Sequence, residues 1–87
     1  MTISIVRGAS TLTSTAYNPN PITVAIGSTV TITNNDTVTH DATAENKSFA
    51  TGLIAAGASA NVTLSTAGRI TYFCTIHPGM SGVINVQ

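Results

Sequence analysis

The chain has few charged residues, and this scarcity excludes several classes of partner. Only 7% of its 87 residues are charged, three basic and three acidic, so the formal net charge is zero. Nucleic acids and anionic membrane surfaces are bound through basic faces, which this composition does not provide. Disorder is not indicated either, because disordered chains combine low hydrophobicity with high net charge, whereas 43% of these residues are hydrophobic. We therefore expect a folded protein that binds neither nucleic acid nor an anionic membrane.

Cysteine and long apolar segments are also scarce. The single cysteine, Cys74, excludes an internal disulfide. No apolar run approaches the roughly 18 residues that a membrane-spanning helix needs, and no basic segment followed by an apolar one has the pattern of a leader. A chain of this length forms one domain. We therefore expect residues 1–87 to form a single domain that does not insert into a membrane.

Alternation of β-branched and polar residues predicts strands along most of the chain, and no segment of a dozen residues has a helical period. Short turn signals, such as Asn18-Pro19-Asn20-Pro21 and Asn34-Asn35-Asp36, separate these segments. Strands with turns every 8–12 residues are typical of a two-sheet sandwich or a barrel. We predict an all-β protein of seven to eight strands. The predicted strands span residues 3–6, 22–26, 29–33, 38–45, 60–64, 69–74 and 82–86.

The segment between the last two predicted strands carries three residues that can bind a soft metal ion. Cys74, His77 and Met80 follow one another at intervals of three residues. The only other histidine, His40, lies in the predicted strand 38–45. One thiolate, two imidazoles and a weak thioether are the ligand set of a mononuclear blue-copper centre. The sequence therefore predicts one copper ion held by these four side chains.

Two further residues restrict the backbone of this short loop. Pro78 fixes its own φ angle, and Gly79 is expected to let the chain turn without a Cβ clash. Cu(I) favours thiolate and thioether ligands, whereas Cu(II) favours nitrogen and a more tetragonal geometry. A rigid site with both kinds of ligand changes little when an electron arrives or leaves. The pattern therefore indicates electron transfer by a small carrier.

Residues 72–80, together with residues 34–40, resemble the corresponding segments of the cupredoxins, the family of plastocyanin and amicyanin. The short Cys-x2-His-x2-Met loop is similar to that of amicyanin-like members, and the resemblance extends over nearly the whole chain. It implies a Greek-key β-sandwich with one type 1 copper ion at one end. It further implies that His40, Cys74 and His77 are the strong equatorial ligands and that Met80 is the axial ligand.

The chain departs from the family pattern beside the first histidine. Many cupredoxins have asparagine there, bonded to a serine or threonine that follows the cysteine; here the two positions hold Asp41 and Thr75. Outer partners of this kind fix the orientation of metal ligands. Because a buried carboxylate is costlier than a buried amide, two arrangements remain open. Either Asp41 is hydrogen-bonded to Thr75 and shifts the copper potential, or it points outward.

The resemblance also implies where electrons leave the protein. His77 would present its ring edge at the surface, framed by Ile76, Pro78, Gly79 and Met80. Redox proteins, as donor and acceptor, would dock on this apolar patch, because weak redox encounters use small interfaces. Phe73 has the opposite strand parity to Cys74, so it either faces outward as a second exit or packs on the opposite face of the sheet. We expect a monomer.

Other functions compete with electron transfer. They are copper storage or delivery, a cupredoxin domain of a larger copper oxidase or membrane-anchored protein, an enzyme with Cys74 as nucleophile, and a structural zinc site. We expect no enzymatic activity, because the sequence shows no second polar cluster for an oxyanion. A structural zinc site seldom uses methionine. The family resemblance implies an exported protein, in the periplasm or at the cell surface, whose leader is not part of this sequence.

Overall fold

A computed structural model describes all 87 residues, and eight β-strands account for its regular structure apart from one short 3-10 helix, Ala9–Thr11. The prediction of an all-β protein with seven to eight strands is therefore confirmed. The strands are β1 (Thr2–Ile5), β2 (Tyr17–Asn18), β3 (Ile22–Val24), β4 (Thr29–Asn34), β5 (Thr43–Ala44), β6 (Ser59–Thr63), β7 (Gly68–Phe73) and β8 (Ser81–Val86).

The strands form two four-stranded sheets that face each other. The first sheet has the order β2-β1-β4-β6 and the second the order β3-β8-β7-β5. The pairs β1–β4 and β3–β8 are parallel, and the other pairs are antiparallel. A single cluster of 21 buried apolar residues lies between the sheets. This is the predicted sandwich, and its core comes from the inward-facing residues of both sheets. The fold contains no helix with the length and hydrophobicity that crossing a bilayer requires.

The predicted strand over residues 38–45 is wrong in its first half. Only β5 at its end pairs with β7, and His40 makes an isolated antiparallel bridge with Ile54. Side-chain hydrogen bonds hold this stretch instead of a continuous ladder: the Asn34 amide donates to the carbonyl oxygens of Val38 and Ile54, at 2.8 Å and 2.9 Å. Such bonds compete with regular secondary structure. His40 therefore lies at the end of a loop and not within a strand.

Strands β7 and β8 form a hairpin whose connection is the predicted ligand loop. Cys74 follows the last residue of β7, and Met80 precedes the first residue of β8. The register pairs Phe73 with Ser81 and Tyr72 with Gly82, so the loop is closed directly below the cysteine. Inward and outward residues alternate along β7, as the pleat of a strand requires. The hairpin thus places both sulfur-bearing side chains at one end of the sandwich core.

Candidate metal centre

Three of the four predicted ligands come together at this end of the sandwich. The sulfur of Cys74 lies 3.8 Å from Nδ1 of His40 and 3.8 Å from Nδ1 of His77. The candidate donor atoms of these three residues all lie within 4.8 Å of one another. Cys74 and His40 are fully buried, whereas His77 is partly exposed. Met80 is also fully buried, and its N–H donates to the carbonyl oxygen of His77 at 3.0 Å.

The distances from the sulfur of Cys74 to the two histidine nitrogens fit a single first-row metal ion. Bonds of about 2.0 Å to nitrogen and about 2.3 Å to sulfur place two such donors at most about 4.3 Å apart. The two nitrogen–sulfur separations of 3.8 Å satisfy this condition. Two imidazoles and one thiolate, with a weak methionine, are the donor set that copper electron-transfer sites use. The residues present are therefore suited to a type 1 copper ion.

Asp36 orients His40, a role that its place in a polar turn does not indicate. Its Oδ2 lies 2.6 Å from Nε2 of His40, while its Oδ1 accepts the N–H groups of Gly8 at 3.0 Å and Thr37 at 2.8 Å. The hydrogen bond with His40, followed by these backbone N–H groups, holds the pKa of Asp36 well below its usual value. An ionised carboxylate only accepts hydrogen bonds, so Nε2 of His40 carries the proton and Nδ1 is free to bind a metal ion.

The signal for this contact was present in the sequence as an acidic residue four positions before a candidate ligand. We interpreted Asp36 only as part of a polar turn. Asn34 holds that turn in place, because its Oδ1 accepts the N–H of Asp36 at 3.0 Å while its amide holds the loops on either side of His40. The backbone of His40 is fixed in addition by two hydrogen bonds with Ile54, at 3.2 Å and 2.7 Å. Hydrogen bonds of both the ring and the backbone therefore hold this histidine in place.

The side chain of Asp41 is hydrogen-bonded to Thr75 and does not point outward. Its carboxylate accepts the N–H of Thr75 at 2.6 Å and the hydroxyl of Thr75 at 2.8 Å. The hydroxyl of Thr43 adds a bond of 3.1 Å, and the phenol of Tyr17 donates to the Asp41 carbonyl oxygen at 2.6 Å. The residue after the first histidine is thereby tied to the residue after the cysteine. This link connects the two parts of the chain that supply the donors.

Burial affects the chemistry of the cysteine. It is the largest influence on the Cys74 thiol, and it raises the pKa of that thiol above its ordinary value. The thiolate is the form that binds metal ions. Binding of a metal ion at this site therefore displaces the thiol proton.

The surface around His77 is apolar, but its composition differs from the prediction. Ile76 is 49% exposed, and Pro78 and Gly79 are exposed as expected. Met80 is fully buried and does not frame this surface, because its side chain belongs to the core. Gly79 does not need its conformational freedom, since it has no positive φ and an added Cβ would meet no atom within 4 Å.

Two other loops add exposed apolar side chains at this end. Val38 is 45% exposed and Leu53 is 67% exposed. Val38 lies in the loop that leads to His40, and Leu53 precedes the residue that pairs with His40. Phe73 is partly exposed and lies outside the core cluster.

Comparison with known proteins agrees with the fold and the donor set. Over residues 5–87 the sequence matches the family of copper binding proteins of the plastocyanin/azurin type, and the chain belongs to this family. Copper is its cofactor. No curated protein matches the chain in sequence.

Solved structures include similar cupredoxins. A purple cupredoxin from Nitrosopumilus maritimus is 27% identical, with a TM-score of 0.88, and the match covers 99% of this chain and 98% of the other. A reduced amicyanin variant is 22% identical, with a TM-score of 0.78, and the match covers all of this chain and 81% of the other. A copper-containing nitrite reductase from Thermus scotoductus SA-01 is 24% identical, with a TM-score of 0.78, but only 22% of that longer chain is covered. The last two comparisons bear on the fold alone.

Proposed function

We propose that the protein is a small one-electron carrier in which His40, Cys74, His77 and Met80 hold a type 1 copper ion that alternates between Cu(I) and Cu(II). The observation that carries this proposal is the convergence of two imidazole nitrogens on one buried thiol, each at 3.8 Å, within a cupredoxin fold. When bound, copper supplies the one-electron redox chemistry. The protein supplies donors that suit both oxidation states.

The immobility of the donors favours electron transfer over copper delivery. His40 is held by its ring contact with Asp36, and the segment around Cys74 is held by strand β7 and by the Asp41–Thr75 bonds. A site that cannot rearrange needs little reorganisation when its charge changes. Delivery requires donors that a receiving protein can reach, whereas Cys74 and His40 have no exposed surface. Slow copper exchange follows from this burial.

We propose that redox proteins, as donor and acceptor, dock at an apolar patch formed by Val38, Leu53, Ile76 and Pro78 around His77. The patch contains no charged residue, and two of its members, Ile76 and Pro78, flank in sequence the one candidate nitrogen ligand that is partly exposed. A small apolar contact suits short encounters between redox partners. Phe73, which directly precedes Cys74 and is partly exposed, is proposed as a second exit.

The proposal also covers the domain organisation, the oligomeric state, the lack of enzymatic activity and the location of the protein. We propose a single-domain, monomeric carrier that is not an enzyme and acts outside the cytoplasm, in the periplasm or at the cell surface. The match of residues 5–87 to one family model supports a single domain over these residues. Measurement of the molar mass in solution tests the oligomeric state, and fractionation of the source cells tests the location.

Titration with Cu(II), followed by visible absorption and EPR, tests the centre. We expect one equivalent to produce an intense thiolate band with narrow copper hyperfine splitting, as a donor set of one cysteine and two histidines requires. Cys74→Ser removes the thiolate and should abolish the colour. Met80→Leu removes only the weak ligand, so it should keep the colour and raise the reduction potential. A colourless titration that leaves the thiol reactive would overturn the proposal.

A second experiment separates an electron carrier from a delivery protein. We expect mixtures of the Cu(I) and Cu(II) forms to exchange electrons rapidly, as measured by NMR line broadening, while a copper chelator removes the ion slowly. Ile76→Asp places a charge in the apolar patch and should slow the exchange without changing the absorption spectrum. Fast copper release combined with slow electron exchange would favour storage or delivery instead.

A further inference from the structure

The protein places most of its few acidic residues beside the metal ligands. Of its three carboxylates, Asp36 and Asp41 are 7% and 4% exposed, and only Glu45 lies on the surface. Burial of a carboxylate is costly unless hydrogen bonds or an opposite charge compensate for it. Two such residues at one end of an 87-residue chain therefore require a physical explanation.

No basic side chain provides the missing positive charge. Arg7, Lys47 and Arg69 are all exposed, and the single ion-pair contact in the structure is the one between Asp36 and the His40 ring. The other partners of the two carboxylates are neutral N–H and hydroxyl groups. Apart from the His40 ring, the two buried carboxylates therefore have no cationic side chain as a partner.

The two carboxylates act on different donors. Asp36 contacts the ring of His40 directly and fixes which nitrogen is free, so it is a positioning residue as well as a charge. Asp41 binds the backbone N–H and the hydroxyl of Thr75, the residue that follows Cys74. Their charges thus lie on the histidine side and on the cysteine side of the site.

We infer that Asp36 and Asp41 together favour the oxidised centre and give this carrier a lower reduction potential than it would have with neutral residues at both positions. A copper–thiolate pair carries one more positive charge as Cu(II) than as Cu(I). A negative group in a poorly solvated place therefore stabilises the oxidised form more. The reaction is a one-electron reduction in which no covalent bond forms or breaks, and the electron comes from the donor redox protein.

The inference rests on the proposed function and concerns the redox partners. Because the carboxylates disfavour the reduced form, they make electron transfer from any given donor less favourable and electron transfer to any given acceptor more favourable. The acceptor of the protein can then be a cupredoxin or oxidase centre of higher potential. The two buried charges thereby affect the driving force for electron transfer with each redox partner. The apolar patch affects which partners bind.

Reduction potentials of copper-loaded variants at one fixed pH test the inference. Asp36→Asn and Asp41→Asn keep the size of the side chain and remove its charge, and Glu45→Gln does the same for the exposed carboxylate. We expect each buried substitution to shift the Cu(II)/Cu(I) equilibrium at least tenfold toward Cu(I), about 59 mV for one electron. The shift in the double variant should exceed either single shift. Glu45→Gln should change the equilibrium by less than about twofold, because solvent screens exposed charges.

NMR of the diamagnetic Cu(I) protein adds a readout for the positioning role. The Nε2–H proton of His40 should be observed and protected from exchange, and Asp36→Asn should abolish that protection. Asp36→Glu, which keeps the charge, should have a potential closer to that of the unmodified protein than Asp36→Asn has.

The outcomes of these experiments separate the two proposals. Unchanged potentials in both Asn variants, with the thiolate band retained, would overturn the inference and leave the electron carrier intact. Absence of the thiolate band in the unmodified protein would overturn the carrier itself. If Asp36→Asn binds no copper, the potential of Asp41→Asn alone decides the question.

Discussion

Tyr72 has the one buried side-chain oxygen or nitrogen that lacks a hydrogen-bond partner. Its ring packs edge-on against Tyr17, with centroids 4.6 Å apart, and both rings are almost completely buried. The Tyr17 hydroxyl, in contrast, donates to the Asp41 carbonyl oxygen at 2.6 Å. The two neighbouring phenols therefore differ in whether the hydroxyl has a hydrogen-bond partner.

We predict that Tyr72→Phe stabilises the protein by about 1 kcal/mol, because it removes a buried polar atom without removing a hydrogen bond. Tyr17→Phe is the matched control and should destabilise the protein by about 1–2 kcal/mol, since it leaves a buried carbonyl unpaired. Denaturant unfolding of the two variants gives both values when the slopes agree. Equal destabilisation by the two substitutions would show that the Tyr72 hydroxyl has a partner.

Residue type and spacing predict four candidate metal ligands, and the structure brings together the donor atoms of three of them, His40, Cys74 and His77. Cys74, His77 and Met80 share one loop, and His40 is the remaining histidine. The contribution of Asp36 was not predictable in the same way. Aspartate is common in turns for reasons unrelated to metals, and only the folded turn brings its carboxylate to the ring four residues later.

At the scale of elements, the β7–β8 hairpin that supports the ligand loop contains a pairing of a large residue with glycine. Gly82 lies directly opposite Tyr72 in the register. A Cβ built at Gly82 would overlap the phenol, at 2.5 Å from the hydroxyl oxygen and 2.8 Å from Cε1. The absence of a side chain at this position makes room for the ring below the metal site.

Gly82→Ala should therefore destabilise the protein by about 1–3 kcal/mol, because the buried ring has to move within a filled core. Gly79→Ala in the neighbouring loop is the control and should have little effect, since an added Cβ there meets no atom within 4 Å. Thermal unfolding of both variants measures the difference. Combining Gly82→Ala with Tyr72→Leu should recover part of the loss, and an equal loss in both glycine variants would contradict this explanation.

The elements that sequence reasoning identified correctly are those whose strands have one buried face. In β4, β7 and β8 the alternation of β-branched or aromatic residues matches the observed alternation of buried and exposed positions. The two-residue strand β2 was missed because no periodicity can be detected over so short a segment. Residues 38–42 were part of the strand predicted over residues 38–45, but the bonds made by Asn34 determine their conformation.

At the scale of the whole molecule, the buried tyrosines limit stability in alkaline solution. Burial, followed by neighbouring negative groups, raises the pKa of Tyr17 far above its usual value. The unfolded chain loses the phenolic proton near pH 10, whereas the folded chain keeps it. The stability is therefore complete below about pH 10 and decreases as the pH rises further.

We predict that the free energy of unfolding falls above pH 10 by about 1.4 kcal/mol per pH unit for each buried phenol. Unfolding curves of the Cu(I) protein between pH 8 and 11 measure this slope. Tyr17→Phe should remove the contribution of one phenol from this slope. A stability that stays level over this range would contradict the prediction.

The lack of net charge on the whole molecule bears on the docking of redox proteins that we propose. The formal net charge is zero, and the apolar patch around His77 has no charged member. Electron self-exchange should therefore change with ionic strength by much less than the tenfold or larger effects of steered association. Exchange rates at low and high salt test this, and Val38→Lys, which adds a charge to the patch, should introduce a clear salt dependence.

Strand β8 is an inner strand of the second sheet, between β3 and β7, yet it comes later in the sequence than both. Its parallel partner β3 joins it across a long separation, since Ile22 is paired with Ile84. Strand β3 therefore lacks its parallel neighbour until the last strand of the sequence has been synthesised. The second sheet is complete only when β8, which follows the ligand loop in the sequence, is in place.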